Sequence, residues 1–94
     1  MKGKFVVVTT GKRGVFFGRL VSEENDGSKA VIEEAQCCVY WSAETRGFLG
    51  LAERGPQPGS KVTPPVSALK LYDVTSVSLC TDEAVELWKS QPWG

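Results

Sequence analysis

Lys4 to Leu20 reads KFVVVTTGKRGVFFGRL, and little other than a β-hairpin accommodates it. Phe5 to Thr10 alternates over β-branched residues, which stiffens χ1 and suits a pleated sheet better than a helix. Gly11-Lys12-Arg13-Gly14 supplies the turn, where glycines accept positive φ, and Val15 to Ser22 returns. On the returning strand Val15, Phe17, Arg19 and Val21 share one face, and Phe16, Gly18 and Leu20 share the other. The adjacent phenylalanines therefore point apart. One enters the core, and Phe16 either joins a core or lies beside the cations of the turn. Gly18 in mid-strand marks a bulge, a bend or the close approach of another backbone.

The hairpin is also basic. Lys2, Lys4, Lys12, Arg13 and Arg19 precede the first carboxylate, Glu23, in a chain whose 11 basic and 11 acidic residues cancel. Segregated charge of this kind favours an anionic partner near the hairpin. Arginine offers a planar fork for phosphate and a ring offers a stacking surface for a base, so Arg13 beside Phe16 is the sharpest candidate.

Residues 1–94 are expected to form one domain, with a core small enough that oligomerisation is a common remedy. No apolar run approaches the roughly 20 residues that span a bilayer, and Phe5 to Val8 is too short for a signal-peptide core. The reading is a cytoplasmic protein without a membrane partner. Cys37, Cys38 and Cys80 are odd in number and two are adjacent, which suits buried thiols better than a disulfide framework. The chain has no histidine, so the commonest general base and metal ligand is missing. No metal, no cofactor and no catalytic residue are expected. Glu33 and Glu34 are adjacent and on a regular strand face opposite ways, against a paired-carboxylate site. Gly11 to Gly14 lacks the spacing of a phosphate-binding P-loop.

Beyond a polar turn at Glu23 to Gly27, Lys29 to Ala35 and Cys37 to Ser42 read as two short strands with a bend at Gln36. Residues 5 to 42 then form a four-stranded antiparallel meander. Glu44 to Arg54 has Phe48, Leu51 and Ala52 at helical spacing, weakened by Gly47 and Gly50 by about 1 kcal/mol each relative to alanine. That helix ends at Gly55. Pro56 to Pro65 reads as a loop, and Ser67 to Cys80 as strand interrupted at Asp73. Thr81-Asp82-Glu83 opens a C-terminal helix with a hydroxyl cap and two acids at the positive end of the dipole. Ala84, Leu87 and Trp88 form its inner face, Lys89 lies in its last turn and Pro92 stops it. The fold class is α+β: a small bent antiparallel sheet with one short middle helix and one C-terminal helix. The pattern VFFGRL, acidic turn, VIEEA is similar to the strands of Sm-like and SH3-like small barrels.

Further candidates line up along the middle of the chain. Arg46 and Gly47 open the middle helix, where free N–H groups receive anions and Thr45 can cap. Lys61 in the proline loop adds a cation. Tyr40 and Trp41 end a strand, and Trp93 lies at the end of the chain; such rings pack on the protein's own sheet or on another subunit.

Taken together, VVVTT…RGVFFGRL, the tryptophan after the fourth strand, FLGLAERG and LYDVTSVSLCTDEAVELW resemble a family of short phage-encoded proteins described as a domain of unknown function. More remotely they are similar to Thoeris anti-defence sponges, which capture a cyclic ADP-ribose isomer or related cyclic nucleotides without cleaving them. The resemblance implies a non-enzymatic homo-oligomer that holds a small anionic nucleotide where protomers meet, with Arg13, Phe16, Trp41 and Arg46 as positions able to serve. Nucleic acid is the second choice of partner, disfavoured by a net charge of zero. A phage structural or protein-interaction part is the third.

Overall fold

The computed structural model describes residues 1–11, 14–24 and 28–90. It contains β1 (Phe5–Thr10), β2 (Val15–Glu23), β3 (Lys29–Tyr40), a 3-10 turn (Ala43–Thr45), α1 (Gly47–Glu53), β4 (Lys61–Val62), β5 (Val66–Tyr72), β6 (Val74–Leu79) and α2 (Asp82–Ser90). The expected α+β class holds, with a six-stranded antiparallel sheet, one short middle helix and one C-terminal helix.

The sheet runs β4-β3-β2-β1-β6, and β5 pairs with the first half of β3. Asp73 alone separates β5 from β6, so one bent path leaves β3 and arrives on β1, and the sheet curls closed. The corner is tied at both ends. Gly11 N–H donates to the Asp73 carbonyl at 2.9 Å, and Val74 N–H to the Ser28 carbonyl at 3.0 Å. Asp73 has φ 58°, a left-handed conformation that aspartate tolerates better than most residues.

Closure gives β1 two buried faces, which is why Val6, Val7 and Val8 are all fully buried instead of alternating. Val6 and Val8 look inward onto Leu20, Ile32, Ala35 and Leu71. Val7 looks outward with Val15 and Phe17 onto Leu51 of α1 and Trp88 of α2. Trp88 is the pin of that outer core. Its ring stacks on Phe17 at 4.8 Å, Phe17 stacks on Phe5 at 5.1 Å, and its indole N–H donates to the Leu51 carbonyl at 3.0 Å. Thr81 caps α2 as the sequence suggests, and it also ties α2 to α1. Its hydroxyl accepts from Ala84 N–H at 3.1 Å, as a cap does, and donates to the Glu53 carbonyl at 2.8 Å.

Several sequence expectations are corrected. Lys29 to Tyr40 is one strand, so the meander has three strands and not four. The irregularity lies at Glu34, with φ 52°, while Gln36 is buried within the strand. The proline-rich segment contains β4, which pairs with the end of β3. The middle helix is split: Arg46 adopts φ 65° between the 3-10 turn and α1, so α1 has only seven residues before it ends at Gly55.

Candidate functional site

The end of β3 is where the structure brings three of the residues singled out together. Tyr40 is paired with Lys61 of β4 across the sheet, which brings the proline-segment cation beside the strand-end aromatics. Trp41 packs one side against the outer core and lines, with Val39 and Tyr40, an open dish of about 270 Å³. Val39 and Tyr40 are each 57% exposed, an unusual state for two apolar-bodied neighbours on a strand. Ser42 N–H, just beyond the dish, donates to the Ser60 hydroxyl at 3.0 Å and fixes the chain leading into β4.

Other candidates do not converge on that dish. Phe16 sits over the inner core while Trp41 sits against the outer one, so the two rings serve opposite sides of the sheet. Arg13 and Trp93 lie outside the described residues. Arg46 is exposed, and its N–H donates to the Ala43 carbonyl at 3.1 Å. Thr45 is not the cap expected for Gly47. It is fully buried, and its hydroxyl accepts from Gln57 N–H at 3.1 Å and lies 3.4 Å from the hydroxyls of Ser42 and Ser60. Thr45 therefore ties the 3-10 turn to the segment that leads into β4 instead of presenting helix N–H groups to an anion.

The basic hairpin is partly neutralised across the sheet. Arg19 reaches Glu33 at 3.1 Å and Glu34 at 3.2 Å. Adjacent carboxylates on a regular strand face apart, but the left-handed backbone at Glu34 turns both toward one guanidinium, which corrects the expectation of opposed faces. The environment of the thiols favours their protonated form. Burial pushes Cys38 up to about 11, with the neighbouring Cys37 adding to the rise, and burial pushes Cys80 up to about 12; Cys37 is raised by burial as well. Among the described residues no three acidic, cysteine or histidine side chains cluster as a metal site. Nor is any helix among them long and apolar enough to cross a membrane.

One surface was missed by sequence reasoning. Tyr72 is 55% exposed, with the Lys29 ammonium 5.8 Å and the Lys70 ammonium 5.6 Å from its ring centroid. Lys70 and Tyr72 are two apart on β5 and so share a face, a legible signal. Lys29 joins them only through the β3–β5 register, which sequence alone does not supply.

The family described as a domain of unknown function (DUF6948) matches residues 3–88. The chain belongs to that family. No curated protein and no solved structure matches the chain. The family match spans both cores and the strand-end dish, so the residues above lie within the shared domain.

Proposed function

We propose that this protein binds a small anionic nucleotide at the Val39–Tyr40–Trp41 dish and sequesters it uncleaved. The setting is the cytoplasm and the binding unit a homo-oligomer, in the anti-defence role that the sponge resemblance implies. The observation that carries the reading is the exposed Tyr40 ring beside Trp41 with Lys61 paired across from it. An exposed ring stacks on a base, and a neighbouring ammonium meets its phosphate. The dish is open, and a second protomer placed over it would enclose the ligand, as tight capture needs.

The test is a panel of cyclic nucleotides and cyclic ADP-ribose isomers, followed by melting temperature and then by analysis of ligand released on heating. One member should stabilise the protein and be recovered intact. Tyr40→Ala and Lys61→Ala should each weaken that ligand by about tenfold, the loss of one stacking or phosphate contact. Binding unchanged in both variants would refute the dish, and a chemically altered ligand would reveal an enzyme. A second reading, a nucleic-acid-binding module, draws on Tyr72 between Lys29 and Lys70. It requires a steep salt dependence on a mixed-sequence single strand, lessened in Lys70→Ala.

A further inference from the structure

A second recess, about 210 Å³, opens between β3, the segment before β5 and the end of α2, lined by Glu34, Gln36, Pro65 and Lys89. Gln36 is 95% buried, at 5% relative exposure, and its amide nitrogen donates to two backbone carbonyls, Thr63 at 3.0 Å and Trp88 at 3.2 Å. Both partners are acceptors, so the orientation of the amide is fixed by chemistry. Its Oε1 has no hydrogen-bond partner among the described residues and is the polar atom that Gln36 can offer to the recess. The recess is lined as well by Glu34, whose Oε2 is held by Arg19 at 3.2 Å. Lys89 also lines it, with its ammonium 4.4 Å from the centroid of the Phe5 ring.

We infer that this recess binds the edge of an oxopurine base of the guanine type. The recess offers two acceptors, Glu34 and Gln36 Oε1, and one cationic donor, Lys89. A guanine edge presents the complement: two adjacent N–H donors and a carbonyl oxygen. Adenine presents an amino donor beside a ring acceptor and lacks the second donor. Small-molecule pockets usually run from about 300 Å³ upward, so a recess of this size takes a base and leaves the sugar outside. One anion and one cation line it, which suits a neutral group better than a phosphate. The site is separate from the Tyr40–Trp41 dish and does not depend on the reading given for it.

The probe is guanosine, which has no phosphate to engage lysines elsewhere, with adenosine as the comparison, titrated into the isotope-labelled protein. Guanosine should shift the Gln36 side-chain amide resonances saturably, and adenosine at equal concentration should bind at least tenfold more weakly. Lys89→Met removes the donor at an exposed position and should weaken guanosine at least threefold. Glu34→Gly removes the carboxylate while suiting the left-handed backbone, so the fold survives, and should weaken guanosine at least tenfold. Equal response to the two nucleosides, no saturable shift, or undiminished affinity in Glu34→Gly would each overturn the assignment.

Discussion

Gly50→Ala distinguishes an argument from propensity from an argument from packing. In an ordinary helix the change stabilises by about 1 kcal/mol. Here a Cβ at position 50 would lie 1.7 Å from the Thr45 carbonyl oxygen and 2.8 Å from its carbon. That oxygen must retreat by about 1.7 Å to regain ordinary van der Waals contact at 3.4 Å. Thr45 cannot yield freely. It is fully buried, its N–H donates to the Ser42 carbonyl at 3.0 Å, and its hydroxyl holds Gln57 N–H. Overpacking costs roughly 1–3 kcal/mol, and losing the partner of a part-buried amide a further ~1–3 kcal/mol. Set against the propensity gain, the net destabilisation is about 3 kcal/mol. In a domain of this size each kcal/mol moves the melting temperature by roughly 4–8 °C. Circular-dichroism melts should therefore place Gly50→Ala roughly 12–24 °C below wild type. Gly47→Ala is the control: nothing lies within 4 Å of its Cβ, and φ +80° leaves only a left-handed penalty of about 1–2 kcal/mol. A Gly50→Ala protein that melts at or above wild type, or no lower than Gly47→Ala, would refute the clash.

Two further outcomes follow from the electrostatics. Cys80 holds its proton to about pH 12 when folded, against 9.0 for a free thiol, so the unfolded chain loses that proton first. Its contribution is fully present below pH 9 and erodes as pH climbs toward 12; the difference in melting temperature between wild type and Cys80→Ala should narrow across that range, and a constant difference would contradict it. Arg19→Met removes both ion pairs, but each is more than a third exposed, so urea midpoints should register less than about 1 kcal/mol. A loss of several kcal/mol there would mean that Arg19 organises the Glu34 bulge.

Local periodicity made most elements legible. The β-branched run of β1, the β1–β2 hairpin pairing, the Thr81 cap and the Asp73 interruption are near-neighbour signals, and all are found. Gly18 in mid-strand signals a bulge, a bend or a close approach, and the structure has the first and the last: a Cβ there would sit 2.8 Å from the Glu33 carbonyl oxygen, where the β2–β3 register shifts. What failed was long-range. The bend of β3 lies at Glu34 and not Gln36 because the bulge is set by pairing with β2, which strand composition does not show. Thr45 looked like a helix cap because threonine so often is one. Its burial beneath Ser60 and Gln57 follows from β4 folding back onto β3. The strand-end dish was half legible: Tyr40, Trp41 and Lys61 were named, but only the β3–β4 register shows that they are neighbours.

Among the described residues, three that are not glycine adopt positive φ, namely Glu34, Arg46 and Asp73. Asp73 is accounted for by the fold, since it turns the strand that closes the sheet and its carbonyl takes the Gly11 amide. Arg46 marks the switch from the 3-10 turn to α1. Glu34 carries the bulge of β3 with its backbone, a duty that calls for no carboxylate. Left-handed backbone at a residue with a Cβ costs about 1–2 kcal/mol, and an exposed ion pair such as that with Arg19 returns at most about 1 kcal/mol. Glycine would serve the bulge better. What glycine would not do is place a carboxylate at the mouth of the recess that Gln36 and Lys89 line. Strain at a position whose carboxylate the fold does not need is the expected mark of a carboxylate that the ligand does. Glu34→Gly should accordingly raise the melting temperature while it weakens guanosine. Stability and binding falling together would show instead that the glutamate supports the fold.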